Sequence, residues 1–226
     1  MKRFRSFEKG AAPFLALLAV ALFVSPAHAI PVAFDLVGVG DSNNTAHVVF
    51  AYDPTLATVR IDITNTSALY DPRLTAFAFN APAGVTGISS FTGPSGWSGT
   101  LSQNGVNTPG QFGFFDLAAV TGPNFNGGFP NDGIPRGDTF SFEFVLAGSD
   151  LDSLNEMSFI SLLSFDPDET PDESEQYFIA RWQRTGPDGQ GSDVGIPGAA
   201  PVPEPATLLL LGTGMAGLAG LIRKKS

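Results

Sequence analysis

Thr58-Val-Arg-Ile-Asp-Ile-Thr-Asn65 alternates apolar and polar residues, with Val59, Ile61 and Ile63 facing one way and Arg60 and Asp62 the other. Thr139-Phe-Ser-Phe-Glu-Phe-Val-Leu-Ala147 repeats the pattern with Phe140, Phe142 and Phe144. A period of two in β-branched and aromatic residues marks a strand with one buried and one wet face, the arrangement of an antiparallel sheet that covers a core on one side. Outward from these two stretches, short runs of similar character occupy residues 31–39, 47–52, 57–65, 74–80, 113–120, 139–147 and 177–183. Turn signals separate them: Asp53-Pro54, Asp71-Pro72, Gly93-Pro94, Asp132-Gly133, Arg136-Gly137 and Pro187-Asp188-Gly189. Asn104-Gly105 is the best two-residue hairpin candidate. The stretch 149–154 fits one helical turn capped by Ser149 or Asp150, and no longer helical period occurs. The expected fold is all-β, an antiparallel β-sandwich of jelly-roll type.

The composition agrees. The chain has 226 residues, 26 Gly and 18 Pro, and only 15% charged residues, which excludes a helical bundle or a coiled coil. Twenty Phe and 43% hydrophobic residues supply a sizeable core. The absence of cysteine removes disulfides, thiolate metal sites and cysteine nucleophiles from consideration.

The longest apolar runs lie at the two ends. Lys2, Arg3, Arg5 and Lys9 precede an apolar stretch at 14–24, followed by Ala27-His28-Ala29. This is the pattern of a signal peptide over residues 1–29, cleaved by signal peptidase after the small residues Ala27 and Ala29. An uncleaved anchor is the alternative, although the run is short for a membrane span. At the other end, residues 206–222 carry no charge and are followed by Arg223, Lys224 and Lys225. A helix of that length spans about 26 Å, workable in a bilayer with snorkelling basic residues. The basic flank places the tail inside and the body outside, in agreement with an exporting signal.

Pro203-Glu204-Pro205, the Leu- and Gly-rich apolar helix and the basic end together resemble the PEP-CTERM sorting domain of Gram-negative bacteria. The resemblance covers about the last 25 residues, within a segment taken as 199–226, and implies processing by exosortase, a multi-spanning membrane cysteine protease. It also implies transfer from the inner membrane to the cell surface or an exopolysaccharide matrix associated with biofilm. Two prolines forbid helix around Glu204 and leave an extended peptide suited to a protease cleft. Gly212, Ala216 and Gly220 form a small-residue face that could pack on another transmembrane helix. A permanent anchor behind a proline-rich linker is the alternative. The body, residues 30–198, loosely resembles exported domains found ahead of such tails and, more distantly, cohesin-like sandwiches, through 57–67, 74–80, 144–151 and 178–194.

Without its ends the exported part keeps five arginines, no lysine and twenty acidic residues, a formal charge of −15. Nucleic acid and anionic lipid need a basic footprint and are poor partners. Cations are better ones. The densest acidic stretch, Asp166-Pro-Asp-Glu-Thr-Pro-Asp-Glu-Ser-Glu175, offers Asp166, Asp168, Glu169 and Asp172 as calcium candidates. It departs from the EF-hand pattern, and charge blocks of this length usually stay solvated, so no cofactor is the primary expectation. Asp188 and Asp193 form a second, weaker calcium candidate.

Catalytic patterns are scarce. His47 is the one imidazole left after the signal, no Gly-x-Ser-x-Gly elbow exists, and Ser95 lacks the required spacing. One His and no Cys cannot make an ordinary zinc site. Nothing singles out two of the twenty carboxylates for glycoside hydrolysis. Trp97, Phe125 and Phe129 lie in loops, where they either stack on sugars or tuck in as lids, the second being expected. Arg136-Gly137-Asp138 reads as a turn entering a strand, and Asn65-Thr-Ser67 is an acceptor sequon of little weight in a bacterial protein. The sequence therefore predicts a non-enzymatic surface or matrix protein, with a calcium-stabilised carbohydrate-binding or polysaccharide-acting module as the alternative.

Overall fold

A computed structural model describes residues 30–109, 112–165, 175–198 and 202–203. The strands are β1 (Val32–Gly38), β2 (Thr45–Asp53), β3 (Thr58–Asn65), β4 (Arg73–Phe79), β5 (Val85–Thr92), β6 (Ser98–Asn107), β7 (Phe114–Val120), β8 (Thr139–Gly148), β9 (Phe178–Gln183), β10 (Ser192–Pro197) and β11 (Val202–Pro203). Every pairing is antiparallel, in the order β5-β8-β3-β2-β1-β10-β9-β4-β7-β6, with β11 added beside β1. The ends of this ten-strand path approach each other, since the Phe91 ring of β5 lies directly over Gly99 of β6. The molecule is a single sheet curled into a nearly closed barrel.

The all-β, antiparallel expectation holds. The two separate layers of a sandwich are instead joined edge to edge, because β1 pairs with β2 on one side and with β10 on the other. All seven expected runs are strands. The strands β5, β6, β10 and β11 lie outside those seven runs. Asn104-Gly105 is not a hairpin but an irregularity within β6, where the register against β7 shifts between Leu101 and Val106. Its cause is local: Asn104 takes a left-handed backbone (φ 48°) and its N–H donates to Asp116 Oδ1 at 2.7 Å. The helical turn expected at 149–154 is a 3-10 turn at Leu151–Ser153, with Asp150 at its N-cap but no side-chain capping bond, and a short helix α1 (Met157–Ile160) follows.

The interior is aromatic. Phe50 of β2 meets Phe79 of β4 edge to face (5.5 Å), and Phe77 of β4 meets Phe142 of β8 (4.9 Å), so rings from both halves of the sheet interlock. Burying each such ring stabilises by roughly 1.5–3 kcal/mol, with about 0.5–1.5 kcal/mol more from a good ring pair. Strand β4 shows how the sequence divides its two faces. Phe77 and Phe79 fill the interior, while Ala76 and Ala78 are small enough for Phe112 and Phe125 to pack over the outer face.

Candidate functional site

The site of interest is where the body meets its C-terminal segment. Strand β1 begins at Val32, which is buried, two residues after Ile30. Asp35 O accepts from Gly198 N (3.0 Å) and Val39 N donates to Val194 O (2.8 Å). The backbone groups of the odd-numbered residues of β1 therefore point toward β10, and those of the even-numbered residues toward β2. Past Gly198 the chain returns to the same edge, pairing Ala33 with Val202 and Val32 with Pro203. By the alternation, Ala33 and Val202 form the hydrogen-bonded pair. Pro203 falls opposite an even residue, the position at which a missing N–H costs nothing in the ladder.

Residues 201–224 match the family described as the PEP-CTERM protein-sorting motif. This chain carries a PEP-CTERM sorting motif. Pro203, Glu204, Pro205 and the basic flank Arg223, Lys224 and Lys225 fall inside the matched segment. The motif marks the chain as an exosortase substrate, exported and directed to the cell surface. Neither a curated protein nor a solved structure matches the chain. The expected signal peptide with Ala27 and Ala29, the apolar stretch 206–222, and Asp166, Asp168, Glu169 and Asp172 lie outside the described residues. Among the described residues no helix is long and apolar enough to cross a membrane.

The PEP-CTERM segment leaves from an acidic end of the sheet. Val32 pairs with Phe50, Thr58 with Val145, and Phe79 with Phe178, so β1, β3 and β9 start at this end, and β2, β4 and β8 finish there. Asp53 closes β2, and Asp150, Asp152 and Glu156 follow the end of β8. Glu156 is buried and its Oε1 accepts from Tyr52 N (3.1 Å), which caps the part of β2 that extends past β1. Tyr177, packed edge-on against Phe34 of β1, has its phenol pKa raised by burial.

The remaining candidates resolve into structural roles. Asp193 does not face a cation with Asp188. It sits in β10 with Oδ1 accepting from Gly40 N and Val194 N (both 2.8 Å) and Oδ2 accepting from Asp41 N (3.0 Å) and Asn44 Nδ2 (2.8 Å), and so clamps the β1–β2 turn to β10. Among the described residues no group of three or more His, Asp or Glu is placed to hold a metal. His47 pairs through Nδ1 with Asp35 Oδ1 (2.7 Å) across β1 and β2 on the exposed face, and no serine hydrogen-bonds it among the described residues. Trp97 is buried between Phe77 and Phe142, with Nε1 donating to Asp132 O (2.8 Å). Phe125 is buried, whereas Phe129 is 57% exposed. Arg136-Gly137-Asp138 is the expected turn, with Gly137 at φ 86° and its N–H donating to Asn65 O (2.7 Å). Arg181 faces outward on β9, where burial lowers its pKa and leaves Nε without a hydrogen-bond partner.

Sequence reasoning missed a groove on the outer face of β6 and β7. It has a volume of about 430 Å³ and is lined by Ser98, Thr100 and Ser102, every second residue of β6, together with Asn124, Phe125 and Asn126. Hydroxyl and amide groups without charge are the donors and acceptors that a neutral sugar ring uses. The row is visible in the sequence only once β6 is known to be a strand.

Proposed function

We propose that the protein is a non-enzymatic component of the cell surface or extracellular matrix, made as a membrane-held precursor and released from its tail by exosortase. In this reading signal peptidase cuts after Ala29, the helix 206–222 anchors the precursor, and the barrel-like domain reaches the surface as a structural or adhesive unit. The observation that carries the reading is the motif at 201–224, which begins where the folded sheet ends. Replacing Pro203, Glu204 and Pro205 with alanine is expected to leave a membrane-bound precursor with its tail intact, seen as retained mass and membrane fractionation. Unchanged processing of that variant overturns the sorting assignment.

A second reading, a carbohydrate-binding role toward exopolysaccharide, loses the support of Trp97, which is a core residue, and keeps the exposed ring of Phe129. The uncharged groove along Ser98, Thr100 and Ser102 favours it. Binding of the mature protein in a glycan screen, abolished when Thr100 is changed to a bulky Phe, supports it; no binding removes it.

A further inference from the structure

We propose that β1 positions the sorting motif for exosortase, holding Val202 and Pro203 in the sheet so that the enzyme acts only on chains whose β11 has peeled away. The inference rests on exosortase processing at this motif and adds the residues that control access to it. The register is explicit: Ala33 opposite Val202 and Val32 opposite Pro203, one residue before Glu204. A protease that takes an extended peptide commonly reads it through the same backbone N–H and C=O groups that a neighbouring strand uses. The edge of Val202 facing Ala33 cannot serve both partners at once.

The ladder is built to open. It is two residues long, and by the alternation only Val202 of the two exchanges hydrogen bonds with its partner, so little more than the Ala33–Val202 pair holds it. The adjoining β10 pairing, at Leu36, Val37 and Gly38, stays in place when β11 leaves. Because β1 is an interior strand tied to β2 through its even residues, the latch exists only in a folded, exported domain. Tail removal thereby reads the state of the domain, and its rate follows the opening of one short strand.

The test uses the full-length chain in cells that express exosortase, with tail removal followed by mass. Ala33→Pro deletes the one N–H that faces β11 and leaves the bonds of β1 to β2 intact. Processing is expected to be roughly three- to tenfold faster, the gain in open chains from losing one backbone hydrogen bond. The converse variant is Ala33→Cys with Val202→Cys. The chain has no other cysteine, and the paired Cα atoms, about 5.5 Å apart in such a ladder, lie within disulfide reach. Oxidised, this variant is expected to keep its tail, with reduction restoring processing and each single cysteine variant behaving like the wild type. Equal processing of the oxidised and reduced forms overturns the latch, as does unchanged or slower processing of a folded Ala33→Pro chain. If Ala33→Pro fails to fold, the cysteine pair decides alone. A wild-type chain whose tail is never removed sinks the sorting reading and the latch together; normal wild-type processing with an indifferent cysteine pair sinks the latch only.

Discussion

At the end of β3 the side chain of Asn65 is fully buried and spends all its polar capacity on neighbours. Nδ2 donates to Pro72 O and Ile134 O, both at 2.9 Å, while Oδ1 accepts from Ser67 Oγ (2.7 Å), Ser67 N (3.3 Å) and Trp182 Nε1 (3.4 Å). One amide therefore joins β3, the β3–β4 loop, the approach to β8 and the largest core ring on β9. This geometry also explains why the Asn-x-Ser sequence at 65–67 is no modification site: its nitrogen is enclosed and committed. Asn65→Ala removes the side-chain partner of Pro72 O and of the Trp182 indole N–H, each costing about 1–3 kcal/mol, while Ile134 O keeps its bond from Leu74 N. The expected loss is at least about 2 kcal/mol, a large share of the stability of an ordinary domain, read as a lower urea midpoint at unchanged m-value. A loss below about 1 kcal/mol shows that water reaches these groups and that Asn65 is no hub.

Among the elements, the weakest closure is the seam between β5 and β6, where the sheet comes round on itself. Phe91 supplies the seam by packing on Phe144 (4.9 Å) and Phe142 (6.4 Å) while lying over Gly99, where a Cβ has no room. Gly99→Val is therefore expected to push Phe91 off the core, cost about 1–3 kcal/mol, and speed amide exchange in β5 and β6 ahead of β2 and β3. Uniform exchange across the sheet contradicts this picture. The same two strands show where the sequence stops being legible. The strands β2, β3 and β8 bury one face each, so burial imprints a period of two on their residues. Most side chains of β5 and β6 are exposed or half-buried on both faces, and no alternation survives in their Gly, Ser and Thr content. In β10 the residue that packs against Trp182 is Gly195, chosen for having no side chain, so the run lacks the apolar mark of a core strand. Trp97 stands in a loop in the sequence and in the core in space, because a turn folds it back over Phe142. The sorting motif was fully readable, since a processing enzyme recognises it as a linear peptide. Its pairing with β1 was not, because that contact joins residues about 170 positions apart in sequence.

For the molecule as a whole, carboxylates outnumber arginines at both ends of the barrel. Arg73, Arg136 and Arg184 lie at the end away from β11 among Asp41, Asp71, Asp132, Asp138 and Asp188, while Asp53, Asp150, Asp152 and Glu156 lie at the end beside β11. With −15 over the exported part and no lysine, these carboxylates repel one another, and the repulsion opposes the compact state. Exposed charges more than a Debye length apart are screened, and that length is about 10 Å at 0.1 M salt and roughly 30 Å at 0.01 M. The melting temperature of the mature protein is therefore expected to rise as sodium chloride increases from about 0.01 to 0.1 M and to level off above that, because only neighbours inside one Debye length still interact. Calcium chloride at matched ionic strength separates general screening from a site. If Asp166, Asp168, Glu169 and Asp172 stay solvated, the two salts raise the melting temperature alike and a chelator changes nothing beyond ionic strength. A further rise specific to calcium, saturating with concentration and lost when those four residues become Asn and Gln, shows that the stretch binds the ion.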